Sequence, residues 1–306
     1  MLWRVLAWSV LLPPFAVVLL LFTERGSQLV LDNVGRLAPI EIEHSGGTLA
    51  GTLELQRLVW RSEGLELELQ GVVLELIPSC LWYSKVCFQQ LQARELELAV
   101  LPSPPEGSDA VADDDDTLVV FPFPLETEHL QVDALRVHWQ GGEWRQGQIT
   151  ASVQIYGSTI DIRKAEVANA KLTLQGSPDT SSEPVILPEI NLPLELLVGE
   201  LTIASAGWDL SGALGQVDQL GLRGAWLRQE LQVQELRIAA EEFGSWVARG
   251  SLEFAGPWPL AVTLDGEMPT LDAWPSLLDR TLALKASGDL TALLITASMG
   301  GSVDVA

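Results

Sequence analysis

Positive charge is what this chain has least of. Lysine and arginine number 18 among 306 residues, against 41 aspartates and glutamates, for a formal net charge of −23. Nucleic-acid binding through phosphates needs Lys and Arg to displace counterions, so that class of function is excluded. Docking on anionic lipid heads by charge is disfavoured for the same reason. Histidine is scarce as well: His44, His129 and His138 are scattered and lack partners at ligand spacing. With only 2 cysteines, the chain has too few soft donors for most multi-ligand metal sites. No metal and no cofactor is expected.

Catalytic signatures are missing too. There is no Gly-x-Ser-x-Gly elbow, no His-Glu-x-x-His pair and no P-loop. The run Asp113, Asp114, Asp115, Asp116 suggests calcium at first sight. A calcium loop needs alternate ligands, a Gly turn and a closing Glu, whereas consecutive aspartates point in different directions and repel one another. A solvated acidic loop is the better reading. The chain is not expected to be an enzyme; a hydrolytic activity that died with a specific carboxylate would revive that idea.

What the chain does have is apolar surface: 47% of residues are hydrophobic and 19% charged, which does not fit disorder. Residues 5–22 form an 18-residue run without a charge. As a helix it covers about 27 Å, just enough for a bilayer core of about 30 Å. Arg4 precedes the run while Glu24 and Arg25 cancel after it, so the N-terminus is expected in the cytoplasm and the rest outside. The alternative is a cleaved signal peptide. The run exceeds a usual signal core, and Phe22-Thr23-Glu24-Arg25 offers no small-x-small cleavage site, so an uncleaved single-pass anchor in the inner membrane is expected. Pro13 and Pro14 would kink it, Trp3 and Trp8 suit the interface, and the remaining tryptophans are expected to pack on the fold.

A short helix is expected over 27–37, with Ser27 as its cap, Leu29, Val30, Val34 and Leu37 on one face and Pro39 beyond its end. Period two then takes over. Thr52-Leu-Glu-Leu-Gln, Leu65-Glu-Leu-Glu-Leu, Glu95-Leu-Glu-Leu-Ala-Val and Leu192-Pro-Leu-Glu-Leu-Leu alternate apolar with polar, giving strands with one dry face and one wet face. Further runs lie at 130–139, 149–155, 172–174, 201–203, 231–238, 252–254 and 260–264, separated by Gly, Asn, Asp or Ser, as in an antiparallel meander. The only later helical pattern is 271–282, interrupted by Pro275. A loose repeat, Leu-x-Val-x-x-Leu-x-Val, occurs at 130–137 and again at 231–238, with degenerate copies at 196–203 and 91–98. Its two-residue step shifts the pleat, which suits a bulge that re-aims the strand. The stretches 102–117 and 176–184 read as loops.

Cys80 and Cys87 flank Leu-Trp-Tyr-Ser-Lys-Val between two strand-like runs. In an oxidising compartment such a pair can bridge if the Cα atoms approach within about 7 Å. Two buried thiols are the alternative; a structural disulfide is favoured.

In this order the features resemble the TamB family, within the wider AsmA-like group. The resemblance rests on the apolar N-terminal run, on Gly46-Gly-Thr-Leu-Ala-Gly-Thr-Leu-Glu-Leu-Gln-Arg-Leu-Val-Trp60, on Ile77-Pro-Ser-Cys-Leu-Trp-Tyr-Ser-Lys-Val-Cys87, and on the acidic Pro-rich loop. It continues through Val120-Phe-Pro-Phe-Pro-Leu125 and Leu187-Pro-Glu-Ile-Asn-Leu-Pro-Leu-Glu-Leu196. It implies an all-β fold: a transmembrane helix followed by an elongated antiparallel sheet curled into a groove. The expected organisation is an anchor at 1–25, a first groove segment at 26–101, the loop at 102–117 and a continued groove at 118–306. Proteins of this kind run several times longer, so the chain reads as a fragment. An outer-membrane barrel partner of the TamA type is implied only if the missing C-terminal part exists.

One question decides the function: what covers the dry face? A second sheet would make an ordinary sandwich core, and the chain a structural bridge. The resemblance favours a trough holding phospholipid acyl chains, with roles in lipid transport, outer-membrane protein assembly, or both. The candidate lipid-facing residues are Leu53, Leu55, Leu65, Leu67, Leu69, Leu96, Leu98, Val100, Leu135, Val137, Leu194, Leu196, Leu201 and Ile203. Glu66, Glu68, Glu95 and Glu97 are expected on the wet face.

Overall fold

The computed structural model describes residues 19–37, 40–62, 65–100, 119–174, 191–241, 244–267, 277–289 and 291–303. The fold is all-β, led by one helix. The acidic loop at 102–117, the stretch 176–184 and most of the apolar run 5–22 lie outside the described residues. Of that run, residues 19–22 are helical, and among the described residues no helix is long and apolar enough to cross a membrane.

The chain divides into two compact units. The first comprises residues up to Gly107 and Phe123–Thr150; the second comprises Ser108–Pro122 and Ala151–Ala306. The first unit opens with helix α1 (Glu24–Leu37), followed by β1 (Ile40–Gly47), β2 (Thr52–Ser62), β3 (Leu65–Leu76), a 3-10 turn (Pro78–Tyr83), β4 (Val86–Val100), β5 (Phe121–Trp139) and β6 (Gly142–Gln146). The helix starts earlier than its sequence suggests. Thr23, not Ser27, caps it: the backbone N–H of Gly26 donates to Thr23 Oγ1 at 3.2 Å. Ser27 is fully buried, and its Oγ accepts from the Leu49 N–H at 2.9 Å, tying the helix to the β1–β2 turn. A hydroxyl between a helix and a turn is an internal tether, and local pattern alone does not distinguish it from a cap.

Strands β1 to β4 pair as antiparallel neighbours. β4 and β5 run parallel, which corrects the expectation of an all-antiparallel sheet. Antiparallel neighbours need only a tight turn, while parallel neighbours need a connection of about a dozen residues or more. The 20 residues between Val100 and Phe121 supply it.

The second unit contains β7 (Ile149–Gly157, whose first residues belong to the first unit), β8 (Thr159–Val167), β9 (Ala170–Leu174), β10 (Glu195–Ile203), β11 (Ala206–Leu210), β12 (Ala213–Val217) and β13 (Gln219–Leu227). β14 (Glu230–Ala240), β15 (Gly244–Glu253), β16 (Leu260–Glu267), β17 (Leu277–Asp289) and β18 (Ala292–Val303) complete it. β10 pairs with β13 and then β13 to β18 follow in antiparallel order. β8 lies parallel to β10, and β9 parallel to β11, again across a long connection. Residues 277–282, expected within a helix, begin strand β17: their neighbours β16 and β18 offer open ladder positions that override a weak helical pattern interrupted by proline.

The core of the first unit is small. Leu53, Leu55, Val72, Ala93 and Val132 are buried, and Leu31 of α1, Leu49, Leu58, Leu69, Leu74, Leu91, Leu96 and Leu130 pack against them. Strict alternation would put Leu55 and Leu58 on opposite faces. They share one because the pleat slips at a common level. Pairing runs Leu55↔Val72 then Arg57↔Gln70, Gln70↔Glu95 then Val73↔Gln92, and Ala93↔Val132 then Glu95↔Ala134. At this level Gly71 adopts φ 61°, a conformation that favours glycine. A kink stacked across adjacent strands thus keeps the step Leu-x-Val-x-x-Leu-x-Val dry on both sides of the step.

Candidate functional site: a half-open apolar sheet face

The register collects the leucines of the first unit into rungs. Leu67 pairs with Trp60 on β2 and with Leu98 on β4, and Leu98 pairs with Val137 on β5. Leu69 pairs likewise with Leu58 and Leu96, and Leu96 with Leu135, while Leu65 pairs with Val100. Directly opposed residues project from the same face, so these form one apolar surface.

The second unit repeats the design over more strands. One rung reads Leu201, Leu222, Leu236, Ala248, Leu264, Leu284 and Ala297; the next reads Ile203, Leu220, Ile238, Trp246, Gly266, Leu282 and Met299. Leu196 heads a third through Trp226, Leu231, Leu252 and Leu260. Leu194 lies just before β10. Register shifts fall between Val198 and Leu201 and between Val233 and Leu236, where two-residue steps stand in the sequence, and between Arg223 and Gly224, where none does.

Burial separates these residues. Leu53, Leu55 and Ile203 are buried, at 3%, 3% and 4% exposure. Leu65, Leu67, Leu69, Leu96, Leu98, Leu135, Val137, Leu194, Leu196 and Leu201 are half-buried, and Val100 is exposed. In the first unit the face is therefore closed at one level, where α1 packs, and in each unit it is half open along most of its rungs. Open clefts of about 330 and 720 Å³ lie among β10 to β18, but mainly on the opposite face: Thr202, Arg223, Glu235 and Val247 are among the residues lining the first, and Val247, Asp265, Thr281 and Ser298 among those lining the second.

The opposite face is polar and ion-paired. Arg57 holds Glu68 in a bidentate pair, Nε to Oε1 at 2.8 Å and Nη2 to Oε2 at 2.7 Å. Arg61 bridges Glu66 at 2.9 Å and Glu41 at 2.7 Å. Arg136 meets Glu95 at 3.2 Å, and on the same strand His138 Nε2 stands 3.4 Å from Glu97. The Arg57 hydrogen bonds hold the Glu68 carboxyl below the usual range, and the same bonds raise the guanidinium. Glu66 and Glu68 are on the polar face but not freely solvated: both are paired to arginines, and their side chains are only 33% and 20% exposed. Val59, on that strand face between Arg57 and Arg61, is only 1% exposed. In the second unit Glu235 pairs with Arg237 at 2.7 Å and Arg249 at 3.4 Å beside the kinks.

Cys80 and Cys87 form a disulfide with Cα atoms 5.9 Å apart. The loop it closes carries Trp82 at 90% exposure, against the expectation that tryptophans outside the anchor pack on the fold. Among the described residues no group of three or more His, Cys, Asp or Glu could hold a metal ion. Sequence reasoning missed the role of tryptophan over glycine. Trp139 pairs with Gly142, Trp208 with Gly215 and Trp246 with Gly266, and in each pair the indole fills the space a glycine Cβ would take. The signal was legible as Trp-x-x-Gly at 139–142, but the other pairs need the register.

Fold and face define an all-β protein in which each of the two units carries one apolar and one ion-paired sheet surface. The chain belongs to the TamB family: the family model for the TamB N-terminal domain matches residues 14–306. That places it with cell-envelope proteins of outer-membrane biogenesis. No solved structure gives a significant match.

Proposed function

We propose that the apolar face is a trough for phospholipid acyl chains, and that the protein is a non-enzymatic lipid conduit in the envelope. On this reading residues 5–22 anchor it in the inner membrane, with the sheet on the periplasmic side. The supporting observation is the half-exposure of rungs that continue from strand to strand: Leu67, Leu98 and Val137 in the first unit, Leu201, Leu222 and Leu264 in the second. A packed sandwich would bury these side chains. Neighbouring strands are about 4.8 Å apart, so a rung crossing seven of them runs about 29 Å. One lipid tail spans about half of a 30 Å bilayer core, so it fits along such a rung with room to move. The headgroup would stay at the rim, in water, while the ion-paired face keeps the sheet soluble.

The competing reading is a scaffold whose dry face is ordinary core. Mass spectrometry of lipids retained after gentle extraction separates the two. Stoichiometric phospholipid that is lost from a variant with Leu67 and Leu98 changed to Asp supports the trough. Retention unchanged by those substitutions would assign the lipid elsewhere and leave the scaffold.

A further inference from the structure

At one end of the first unit three segments meet. β2 starts at Thr52 opposite Glu75, near the end of β3, and β4 starts at Val86 opposite Leu125 of the parallel strand β5. The β1–β2 turn, the β3–β4 loop and the start of β5 therefore share that end. The Ala50 N–H donates to the Leu21 carbonyl at 2.9 Å, which places residues 19–22 there too. Three of these segments present exposed apolar side chains: Leu19 and Phe22 (58%) before the helix, Leu81, Trp82 (90%) and Tyr83 (79%) in the β3–β4 loop, and Phe123 (56%) at the start of β5.

The loop that carries Trp82 and Tyr83 is built to hold them out. Cys80 and Cys87 staple its base, the Ile77 N–H donates to the Cys87 carbonyl at 2.8 Å, and the Lys85 N–H to the Cys80 carbonyl at 3.3 Å. Ser84 turns it in the left-handed conformation, φ 54°, and none of the residues from Pro78 to Tyr83 is buried. The disulfide ties an exposed turn to the buried Cys87 and so fixes an aromatic finger in solvent. Clustered exposed apolar groups of this kind mark a docking surface.

We infer that this end is a membrane-interface seat: Trp82 and Tyr83, with Phe22 and Phe123, sit at the headgroup level of the bilayer that the apolar run 5–22 enters. Three observations choose a bilayer as occupant. Residues 19–22, the end of the uncharged run 5–22, lie at this same end. The exposed residues are aromatic and include Trp and Tyr, the residues that favour the membrane–water boundary. The chain's net charge of −23 requires an apolar rather than an electrostatic contact with lipid. The rungs nearest this end are the closed ones at Leu53 and Leu55, so the inference rests on the anchor proposed above and deepens it, and is separate from the trough.

The test uses the full chain in native membranes, with a photo-reactive residue at Trp82 and, as control, at Leu214 of β12, which is also exposed at 76%. Carbonate washing reads the anchor separately, and the same photo-reactive residue at Leu67 reads the trough. Phospholipid adducts at 82 several-fold above those at 214 are expected, whatever the result at 67. Equal yields at 82 and 214, or adducts at 82 with protein alone, overturn the seat even if the washed membranes retain the chain and 67 captures lipid. Trp82→Asp, at a solvent-facing position, is expected to leave the disulfide and fold intact and to abolish lipid capture by a photo-reactive residue at Tyr83; undiminished capture would contradict the seat.

Discussion

The indole of Trp246 on β15 stands where a side chain on Gly266 of β16 would begin: a Cβ there would lie 2.1 Å from Trp246 Cε3. The two are register partners, so the glycine provides the floor on which the tryptophan rests. Gly266→Ala must displace the ring or the strand, at a cost of about 1–3 kcal/mol. Gly221→Ala is the control, since its Cβ would meet Arg237 at an ordinary 3.8 Å. Denaturant unfolding of the two variants should separate them clearly.

Much of this arrangement was legible beforehand, and the reasons differ by element. Leu65, Leu67 and Leu69 were set beside Leu96, Leu98 and Val100 because period two leaves little choice of face, and the register pairs them residue for residue. The two-residue step at 130–137 announced a kink, since a slip without one would turn every later side chain outward. The parallel pairing of β4 with β5 was not legible, because alternation fixes a face and says nothing of direction. Nor was the role of Ser27, which depends on a turn 22 residues away. The exposure of Trp82 was hidden by its type: a tryptophan is normally worth burying, and only the loop geometry shows that it is held out.

The disulfide bridge between Cys80 and Cys87 closes a short loop, so its loss should cost about 2–3 kcal/mol at most. The double Cys→Ser variant is expected to keep its strand content by circular dichroism while the loop becomes susceptible to protease. Collapse of the whole sheet on reduction would show that the bridge secures more than its own loop.

The Arg57–Glu68 pair gives a pH dependence with a definite sign. The Glu68 carboxyl is held below its ordinary value in the folded chain, first by the Arg57 hydrogen bonds. Its contribution is therefore present above the unfolded carboxylate pKa of about 4.3 and is lost as pH falls through the lower folded value. Glu68→Gln should reduce stability at pH 7 and flatten the acid limb of the stability profile. An acid limb identical to that of the unaltered chain would show that the pair makes no net contribution.

Leu55 and Leu67 share strand chemistry but differ in cover. Leu55 is 3% exposed within the core cluster, so Leu55→Asp buries an unpaired carboxylate and should cost several kcal/mol. Leu67 is half-buried on the open part of the face, so Leu67→Asp should leave the fold standing while lipid retention falls. Equal loss of stability in both would mean that Leu67 is core.

Photo-crosslinking on the two faces of one strand pair tests the central claim most directly. A photo-reactive residue at Leu67 or Leu98 should form phospholipid adducts in native membranes, and one at Glu97, on the opposite ion-paired face with its side chain 41% exposed, should not. Adducts from Leu67 and Leu98 with the protein's own chain only, or lipid adducts in equal yield from Glu97, would contradict the trough.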